Sequence, residues 1–314
     1  MVGTVIRKKV LPAALALALL VFFVLAAYSL FIFGASFKRV ARFMVESAGC
    51  VSPAALWGGG EPLEPVTFLI YGVDAGEWVG GTVRPGVGRA DTIVLVKADP
   101  RSKTASLLSI PRDTLVVIPG RPGDDKINHS YAFGRAPLLV ETVEQFTGIT
   151  VDYYIGLNYL AVKDIVDLLG GVEFEVDRVI ESSGLRLEPG LQLLDGDAAF
   201  AVVRTRRDPL GDIARVMRQQ RFIKAVVKEV AKRPLDDAFY IMLAAWKHLD
   251  TNLDLVEAAG LAYSLKGISE ANMTTAIVPG WFYNRNGISY WRPDLEETAR
   301  LIKILFLSEV EVAP

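Results

Sequence analysis

Hydrophobic positions along this chain fall into three zones with different patterns. The first zone is a continuous apolar run, Val10 to Phe33, that contains no charged residue. Because the run exceeds the roughly 20 residues that a helix needs to cross a bilayer core, it predicts a transmembrane helix. Residues 34–65 are basic at first and then rich in Gly and Pro, which predicts a juxtamembrane stalk and a flexible linker. Residues 66–314, where short apolar runs alternate with helical patterns, predict one folded domain.

The folded zone interleaves strand patterns with helical patterns. The predicted strands are VTFLIYGV, TIVLVKA, TASLLSI, YYIGL and MTTAIVP, and the turn from Asp99 to Ser102 joins the second to the third. Helical patterns cover residues 137–146, 159–169, 212–233, 236–249, 253–265 and 293–306. Strands interleaved with helices, including one pair joined by a short turn, predict an α/β domain whose mixed central β-sheet is sandwiched by helices.

The apolar run resembles an uncleaved signal anchor more than a signal peptide. A signal peptide has a shorter core followed at once by small residues at a cleavage site, whereas this run continues into a basic stalk. The stretch Ser47 to Cys50 resembles the end of a lipoprotein signal, but charged residues separate it from the apolar run. Three basic residues flank the run on each side, so the positive-inside rule leaves its orientation open. They are Arg7, Lys8 and Lys9 before it, and Lys38, Arg39 and Arg42 after it.

Composition removes several classes of function. One cysteine and two histidines supply neither an intramolecular disulfide nor a zinc ligand set. A net charge of -2 argues against a nucleic-acid-binding domain, which usually carries a basic surface. Ser109 lacks the G-x-S-x-G turn of a hydrolase nucleophile, which argues against a serine hydrolase.

Two aspartates lie at predicted strand ends, where α/β sheets form their ligand crevices. Asp74 follows the strand VTFLIYGV, and Asp91 opens the next strand after a glycine-rich loop. Two carboxylates that a loop brings together suit a hard cation such as Mg²⁺, which takes one or two carboxylates plus phosphate oxygens. The alternative is that each aspartate caps a turn.

Cationic residues cluster in a few motifs although the chain has no net positive charge. Arg112 lies in the apolar context SIPRD, where a buried arginine must be paired or must serve a ligand. If VVRTR is extended, Arg204 and Arg206 share one side. On the helix from Asp212, Arg215, Arg218 and Gln219 share one face, opposite an apolar stripe that includes Met217. A solvated basic helix face is the alternative to a phosphate site made of planar arginine donors.

Several motifs, taken in order, resemble those of the LytR-CpsA-Psr family of cell-envelope phosphotransferases. They are GVD, GRADTIVLVKADP, LLSIPRDTLVVIPG, DKINHSYAFG, VDLLGGVEFEV, LDGDAAFAVVRTR and DIARVMRQQRFIKAV, and later SYWRPDLEETARLIKILF. The resemblance covers residues 66–233 and the late segment. It implies a single-pass membrane protein, cytoplasmic over residues 1–9 and extracytoplasmic over residues 66–314. It also implies transfer of a phosphate-linked glycopolymer from a polyprenyl-pyrophosphate carrier to peptidoglycan, with Mg²⁺ as cofactor.

The resemblance also implies roles for individual residues. Asp74 and Asp91 match the aspartates associated with Mg²⁺. The residues expected to contact pyrophosphate are Arg89, Arg112, Lys126, Arg204, Arg206, Arg215, Arg218 and Gln219, of which Arg89 and Arg112 join Asp91 as catalytic candidates. We expect Asp113 to orient Arg112 through a hydrogen bond, and the polyprenyl tail to lie in a hydrophobic tunnel. Asp91 is the first candidate for the general base if a metal does not fully engage it.

Three features depart from the family pattern, and one alternative function stays open. The loop Ala75 to Val87 is long and glycine-rich, His129 replaces a small residue, and Arg207 adjoins the RxR pair. The alternative is a non-catalytic polyprenyl-phosphate or pyrophosphate binding protein, or an envelope regulator. Both functions need the arginines, but only catalysis needs the aspartates and a metal.

The apolar run and the family resemblance together predict that residues 66–314 lie outside the cytoplasm. Protease added to intact spheroplasts should therefore digest this domain, as followed with an antibody against its carboxy-terminal end. A cytoplasmic protein provides the control for lysis. Full protection of the domain in intact spheroplasts, with digestion only after lysis, would contradict the predicted orientation.

Overall fold

A computed structural model describes residues 64–73, 78–79, 82–83, 88–182, 184–205 and 212–308. These residues belong to one compact unit, Glu61–Pro314. The predicted anchor, stalk and linker lie outside the described residues. Among the helices that are described, none has the length and apolar character needed to cross a membrane.

Strands and helices alternate along the described chain. The strands are β1 (Val66–Val73), β2 (Trp78–Val79), β3 (Thr82–Val83), β4 (Ala90–Asp99), β5 (Thr104–Ser109), β6 (Leu115–Val117), β7 (Asp124–Lys126), β8 (Tyr153–Leu157), β9 (Val172–Val176), β10 (Ile180–Ser182), β11 (Leu185–Leu187), β12 (Gly190–Leu194), β13 (Leu249–Thr251), β14 (Met273–Ile277), β15 (Gly280–Arg285) and β16 (Ile288–Pro293). The helices are α1 (Asn128–Thr147), α2 (Tyr159–Leu168), α3 (Gly196–Arg204), α4 (Asp212–Ala231), α5 (Leu235–Ala245), α6 (Leu255–Ser264) and α7 (Leu295–Ile302), which a π-helical turn, Lys303–Leu307, continues.

A six-stranded mixed sheet forms the centre of the domain, in the order β13-β8-β1-β4-β5-β14. β1 pairs in parallel with β8, and β5 pairs in parallel with β14. β4 runs antiparallel to both of its neighbours, β1 and β5. The predicted fold class, an α/β domain with a mixed central sheet and helices, is therefore confirmed.

Helices cover both faces of this sheet. Because side chains alternate along a strand, Leu69 and Tyr71 of β1 face one core, which α1 and the end of α7 complete. Phe68 of β1 and Val94 of β4 face the opposite core, where Ile223 of α4 packs against them. A further core lies between α2, α3, α4 and α5 and the strands β9 to β12. The sheet is thus buried on both faces, which accounts for its continuous apolar strands.

One edge of the sheet gathers most of the strand ends. Since β1, β5, β8 and β14 all run in the same direction, their carboxyl ends lie together, and the antiparallel strand β4 begins there. An α/β sheet presents its ligand crevice at such an edge. The ribbon of β15 and β16 also starts at this edge, three residues after β14 ends.

The predicted strands are confirmed, whereas several helix boundaries differ. α1 begins at Asn128, well before predicted residue 137, and its backbone leaves the helical region at Gly134 and Arg135. α5 ends at Ala245, and the predicted end of that helix, Leu249, instead opens β13. The two-stranded ribbons were not predicted, because strands of two to six residues with half-exposed side chains give little periodic signal.

Candidate active site

The edge of the sheet brings together acidic and basic side chains from distant parts of the sequence. Asp91 is the second residue of β4, and Arg112 lies three residues beyond the end of β5. The first turn of α4 contributes Asp212 and Arg215. The site is therefore built from two neighbouring strands and from the start of the helix that covers them.

Arg112 lies among three carboxylates. Its Nη1 donates a hydrogen bond of 2.9 Å to Asp91 Oδ1, and its Nε lies 3.5 Å from Asp212 Oδ1 and 3.7 Å from Asp113 Oδ2. Burial alone would lower the pKa of Arg112, but the carboxylates of Asp91 and Asp212 more than offset that effect and raise it. The guanidinium therefore stays charged, with its orientation set by the carboxylates around it.

The predicted hydrogen bond between Asp113 and Arg112 is wrong, although the two side chains lie within ion-pair distance, at 3.7 Å. The hydrogen bond to Arg112 comes from Asp91, whereas Asp113 Oδ1 forms an ion pair of 2.9 Å with Lys126 Nζ. Pairing of β6 with β7 places Lys126 opposite Leu115, just after the SIPRD segment, and so brings the lysine to Asp113. Asp113 thus connects Lys126 to the site.

α4 turns two of its arginines into the protein. The side chains of Arg215 and Arg218 are 2% and 0% exposed, so the alternative of a solvated basic face does not hold for them. Arg215 Nη2 lies 2.5 Å from Asp212 Oδ1 and donates to the Asp91 carbonyl at 3.3 Å. Arg218 donates to the Thr205 carbonyl at 3.4 Å.

Met217, which the apolar stripe predicted to be buried, is 50% exposed. The assignment of the two helix faces was therefore partly wrong. The turn at residues 215–218 directs its charged positions inward because carboxylates and carbonyls there compensate them.

Asp212 is a site residue that the sequence analysis did not select. Burial raises the pKa of its carboxyl, although Arg215 and Arg112 oppose that effect, and the nearby Asp113 and Asp91 raise it further. Within the described part of the chain, its buried Oδ2 accepts no hydrogen bond. The available signal was its spacing of three residues before Arg215 in the first turn of a helix.

An apolar cavity of about 300 Å³ opens beside these charges. Most of its lining is aliphatic or aromatic, from Ile70 of β1, Val162 of α2, Phe200 of α3 and Val227 of α4. Its polar residues are Asp91, Thr92, Asn158, Arg204, Arg215 and Gln219. The cavity lies between the sheet and the helices, where the family resemblance implied a hydrophobic tunnel.

The predicted site residues fall into three groups. Asp91, Arg112, Lys126 and Arg215 lie together at the sheet edge, Arg204 and Gln219 line the cavity, and Arg218 lies beside Thr205 at the end of α3. Arg89 is exposed just before β4. Asp74, Arg206 and Arg207 lie outside the described residues. The condition under which Arg204 and Arg206 would share one side, an extended VVRTR, is not met at Arg204, which is the last residue of α3.

His129 lies in the first turn of α1, close in sequence to Lys126. Its Nδ1 is 2.9 Å from Asp125 Oδ2, and its ring packs edge-on against Phe133. Together with its partial exposure, these contacts place the histidine on the outer side of α1, bonded to a strand next to the site.

The acidic residues of the edge fit a magnesium ion in their chemistry. Asp91 supplies a carboxylate at the mouth of the cavity, and Mg²⁺ commonly takes one or two carboxylates together with phosphate oxygens. Asp74, the second predicted ligand, is outside the described range. Among described residues, no three Asp, Glu, His or Cys side chains group closely enough to hold a metal on their own. The substrate phosphates would have to complete such a site.

Fold and site together define a class of α/β proteins in which a cluster of cations and carboxylates lies at the mouth of an apolar cavity. The LytR_cpsA_psr family model matches residues 46–306. The chain belongs to the LytR_cpsA_psr family, as its motifs indicated.

Known relatives and solved structures support this assignment. A "Polyisoprenyl-teichoic acid--peptidoglycan teichoic acid transferase TagU" of Enterococcus faecalis is 32% identical over 240 residues, which cover 76% of this chain and 78% of the relative. The crystal structure of B. subtilis TagV has a TM-score of 0.68 at 27% identity and covers 80% of this chain and 100% of TagV. A structure of TagT bound to LIIa-WTA has a TM-score of 0.65 at 30% identity, and the match covers 80% of this chain and 94% of the TagT chain.

The raised pKa of Asp212 predicts how the Asp212→Asn substitution changes stability with pH. The Asp212 carboxyl binds its proton more tightly in the folded chain than in the unfolded chain, where the pKa of an aspartate is about 3.9. Stabilisation by the proton is complete below that pKa and is lost as the pH rises through the raised folded-state pKa. Since asparagine does not titrate, the free energy of unfolding of the variant minus that of the wild type should increase from about pH 4 to pH 7.

Urea unfolding at a series of pH values measures this difference. Glu270→Gln, at an exposed carboxylate remote from the site, provides the control, and its difference from the wild type should stay nearly constant. A constant difference for Asp212→Asn would show that this carboxyl titrates alike in the folded and unfolded chains.

Proposed function

We propose that this protein transfers a phosphate-linked glycopolymer from a polyprenyl-pyrophosphate carrier to peptidoglycan. The observation that carries the proposal is the junction of an apolar cavity with two arginines, the buried Arg215 in its lining and the half-buried Arg112, which is bonded to Asp91 of the same lining. An apolar slot that ends in planar cationic donors matches a molecule with a long hydrocarbon tail and a pyrophosphate head. Relatives with the printed name teichoic acid transferase, and TagT bound to LIIa-WTA, support the same reaction class.

In this proposal, the donor lies across the mouth of the cavity. The polyprenyl chain occupies the space between the sheet and α2, α3 and α4, where burying apolar surface stabilises it by about 25 cal/mol per Å². The pyrophosphate lies at the polar end, within reach of Arg204, Arg215 and Gln219. Arg112, which is bonded to Asp91, and Lys126, which is bonded to Asp113, contact the phosphate that carries the glycan in this proposal.

The reaction is a substitution at the phosphorus that carries the glycan. A hydroxyl oxygen of the peptidoglycan acceptor forms a new P–O bond to this phosphorus, and the bond to the bridging oxygen breaks. The bridging oxygen leaves with the polyprenyl monophosphate, and the hydroxyl proton passes to a carboxylate, for which we propose Asp91. The arginines lower the barrier because they offset negative charge on the phosphate oxygens in a largely dehydrated site.

Asp91 and Asp74 are the residues that would hold Mg²⁺. When bound, the ion supplies further positive charge to the phosphate oxygens. The protein's own contribution is to hold Arg112 and Arg215 in place before substrate arrives, through the carboxylates of Asp91 and Asp212. Preformed ion pairs of this kind reduce the ordering that substrate binding requires.

The proposed reaction also requires a particular location. Polyprenyl carriers are membrane lipids and peptidoglycan lies outside the membrane, so the catalytic domain must be extracytoplasmic and close to the bilayer. We propose that Val10 to Phe33 anchors the chain with a cytoplasmic amino terminus, so that this requirement is met.

Arg112→Ala should weaken binding of a prenyl pyrophosphate to the full-length protein in detergent. A charge-assisted contact to phosphate contributes about 1.5–3 kcal/mol, so affinity should fall about 10-fold to more than 100-fold. Isothermal titration calorimetry measures the affinity, and thermal unfolding establishes that the variant is folded. Arg300→Ala, at a 70% exposed arginine of α7, is the matched control and should bind as the wild type does. Unchanged binding by folded Arg112→Ala would remove Arg112 from the site.

Asp91→Asn should abolish glycan transfer in a purified assay with a lipid-linked glycan and peptidoglycan oligomers. Binding of the prenyl pyrophosphate should stay within about one order of magnitude, because the asparagine side-chain carbonyl still accepts the Arg112 hydrogen bond and Asp212 still pairs with both arginines. Excess chelator should have the same effect on the wild type if Mg²⁺ participates. Tight lipid binding by the wild type without Mg²⁺-dependent transfer from any donor tested would favour a non-catalytic binding protein or regulator.

A further inference from the structure

The ribbon of β15 and β16 displays aromatic and cationic side chains beside the site. Register pairs Trp281 with Arg292, Tyr283 with Tyr290, and Arg285 with Ile288. Directly paired residues of an antiparallel ribbon, and residues two apart on one strand, share a face. We call the face that contains these side chains the aromatic face of the ribbon.

Cations pack against the rings of the aromatic face. The Arg292 guanidinium lies 5.3 Å from the centroid of Tyr283, and the Arg285 guanidinium lies 4.9 Å from that of Tyr290. Lys126 of the candidate active site lies 5.4 Å from the same Tyr290 ring. Tyr290 itself is buried, with 6% of its surface exposed, whereas Trp281, at the far end of the face, is 51% exposed. The face therefore runs from the site outward to an uncovered indole.

Backbone contacts hold the ribbon against the segment that carries Arg112. The Trp291 N–H donates to the Asp113 carbonyl at 2.8 Å, and Trp291 also forms a bridge with Thr114. The indole N–H of Trp291 donates to the Val278 carbonyl at 3.0 Å. A Cβ on Gly280 would lie 2.2 Å from the Arg292 carbonyl oxygen, so the ribbon is tightly closed where it starts. Its aromatic face is thus placed rigidly relative to Arg112.

We propose that the aromatic face binds the glycan strand of the acceptor, an inference that rests on the proposed function. Pyranose rings pack their axial C–H groups on aromatic side chains, and an exposed indole beside guanidinium donors offers both this packing and hydrogen bonds to sugar substituents. A bilayer is the other occupant for an exposed tryptophan. We favour the glycan because the ribbon joins the reacting site through Asp113 and Lys126.

The contacts of the site place the lipid and the acceptor on different elements. In phosphoryl transfer, the attacking and leaving oxygens lie roughly in line, on opposite sides of the phosphorus. Asp91 and Arg215 line the cavity, whereas the ribbon contacts Asp113, whose carboxylate lies 3.7 Å from Arg112 Nε. In this proposal the lipid occupies the cavity and the acceptor strand approaches from the ribbon.

The ribbon provides its own matched control. Phe282 follows Trp281 on the same strand and is 61% exposed, but it points to the opposite face, where it packs edge-on against Trp291. Trp281→Ala and Phe282→Ala each remove one exposed aromatic ring from the same strand. Only Trp281→Ala removes a ring from the aromatic face.

The test measures binding of soluble peptidoglycan glycan oligomers to the full-length protein in detergent. Trp281→Ala should weaken oligomer binding about 10-fold and raise the KM for the oligomers by a similar factor, with kcat and prenyl-pyrophosphate affinity unchanged. Phe282→Ala should stay within about 2-fold of the wild type, and Trp281→Phe should recover most of the binding. Thermal unfolding checks that each variant is folded.

Several results would overturn the proposal. The first is that Trp281→Ala binds the oligomers as tightly as the wild type does. The second is that Phe282→Ala loses as much oligomer affinity as Trp281→Ala does. The third is that the wild type does not bind the oligomers. A separate measurement tests the membrane as the occupant. If brominated phospholipid vesicles quench the tryptophan fluorescence of the wild type, and Trp281→Phe abolishes that quenching, the face instead binds the membrane. Oligomer binding needs no turnover, so loss of transfer with intact oligomer binding would reject the proposed function and leave the aromatic face as a glycan site.

Discussion

Compensation of buried charge at the sheet edge is the constraint on which the rest of the site depends. Removing ions from water costs several kcal/mol each, so Arg112 and Arg215 are stable there only with carboxylates around them. Asp91 connects β4 to these two arginines, and Asp212 connects the start of α4 to them. Each carboxylate serves more than one part of the structure, so the charges fix how the strands and the helix meet.

The same compensation prepares the protein for a phosphate ligand. The carboxylates hold the guanidinium groups in position, and a pyrophosphate would replace part of that negative charge with its own. Burial raises the pKa of Asp212 despite its two neighbouring arginines, so the site includes a carboxylate that binds its proton more tightly than an aspartate in water does.

Two surfaces with different chemistry adjoin the charged edge. The cavity is lined by apolar residues such as Ile70 and Val227 and suits a hydrocarbon chain. The aromatic face, with Tyr283 and Trp281, is the proposed site for sugar rings. The charged residues contact both surfaces, and the direction of the strands contributes to this arrangement because β5 and β14 end at the same edge.

The sequence by itself determined five of the six strands of the central sheet and the class of fold, because apolar runs with β-branched residues have few alternatives to a buried strand. It also identified Arg112 and Asp91, since a charge at the end of a buried strand requires a partner or a ligand. Only the tertiary structure decided that Asp91 rather than Asp113 accepts the hydrogen bond of Arg112, that Asp212 joins the site, and that Arg215 and Arg218 face inward. Helical periodicity places residues on a common face but cannot tell which face is buried when distant carboxylates and carbonyls compensate the charge. The short ribbon of β15 and β16 likewise gains its position from contacts with Asp113 and Thr114, which are remote in sequence.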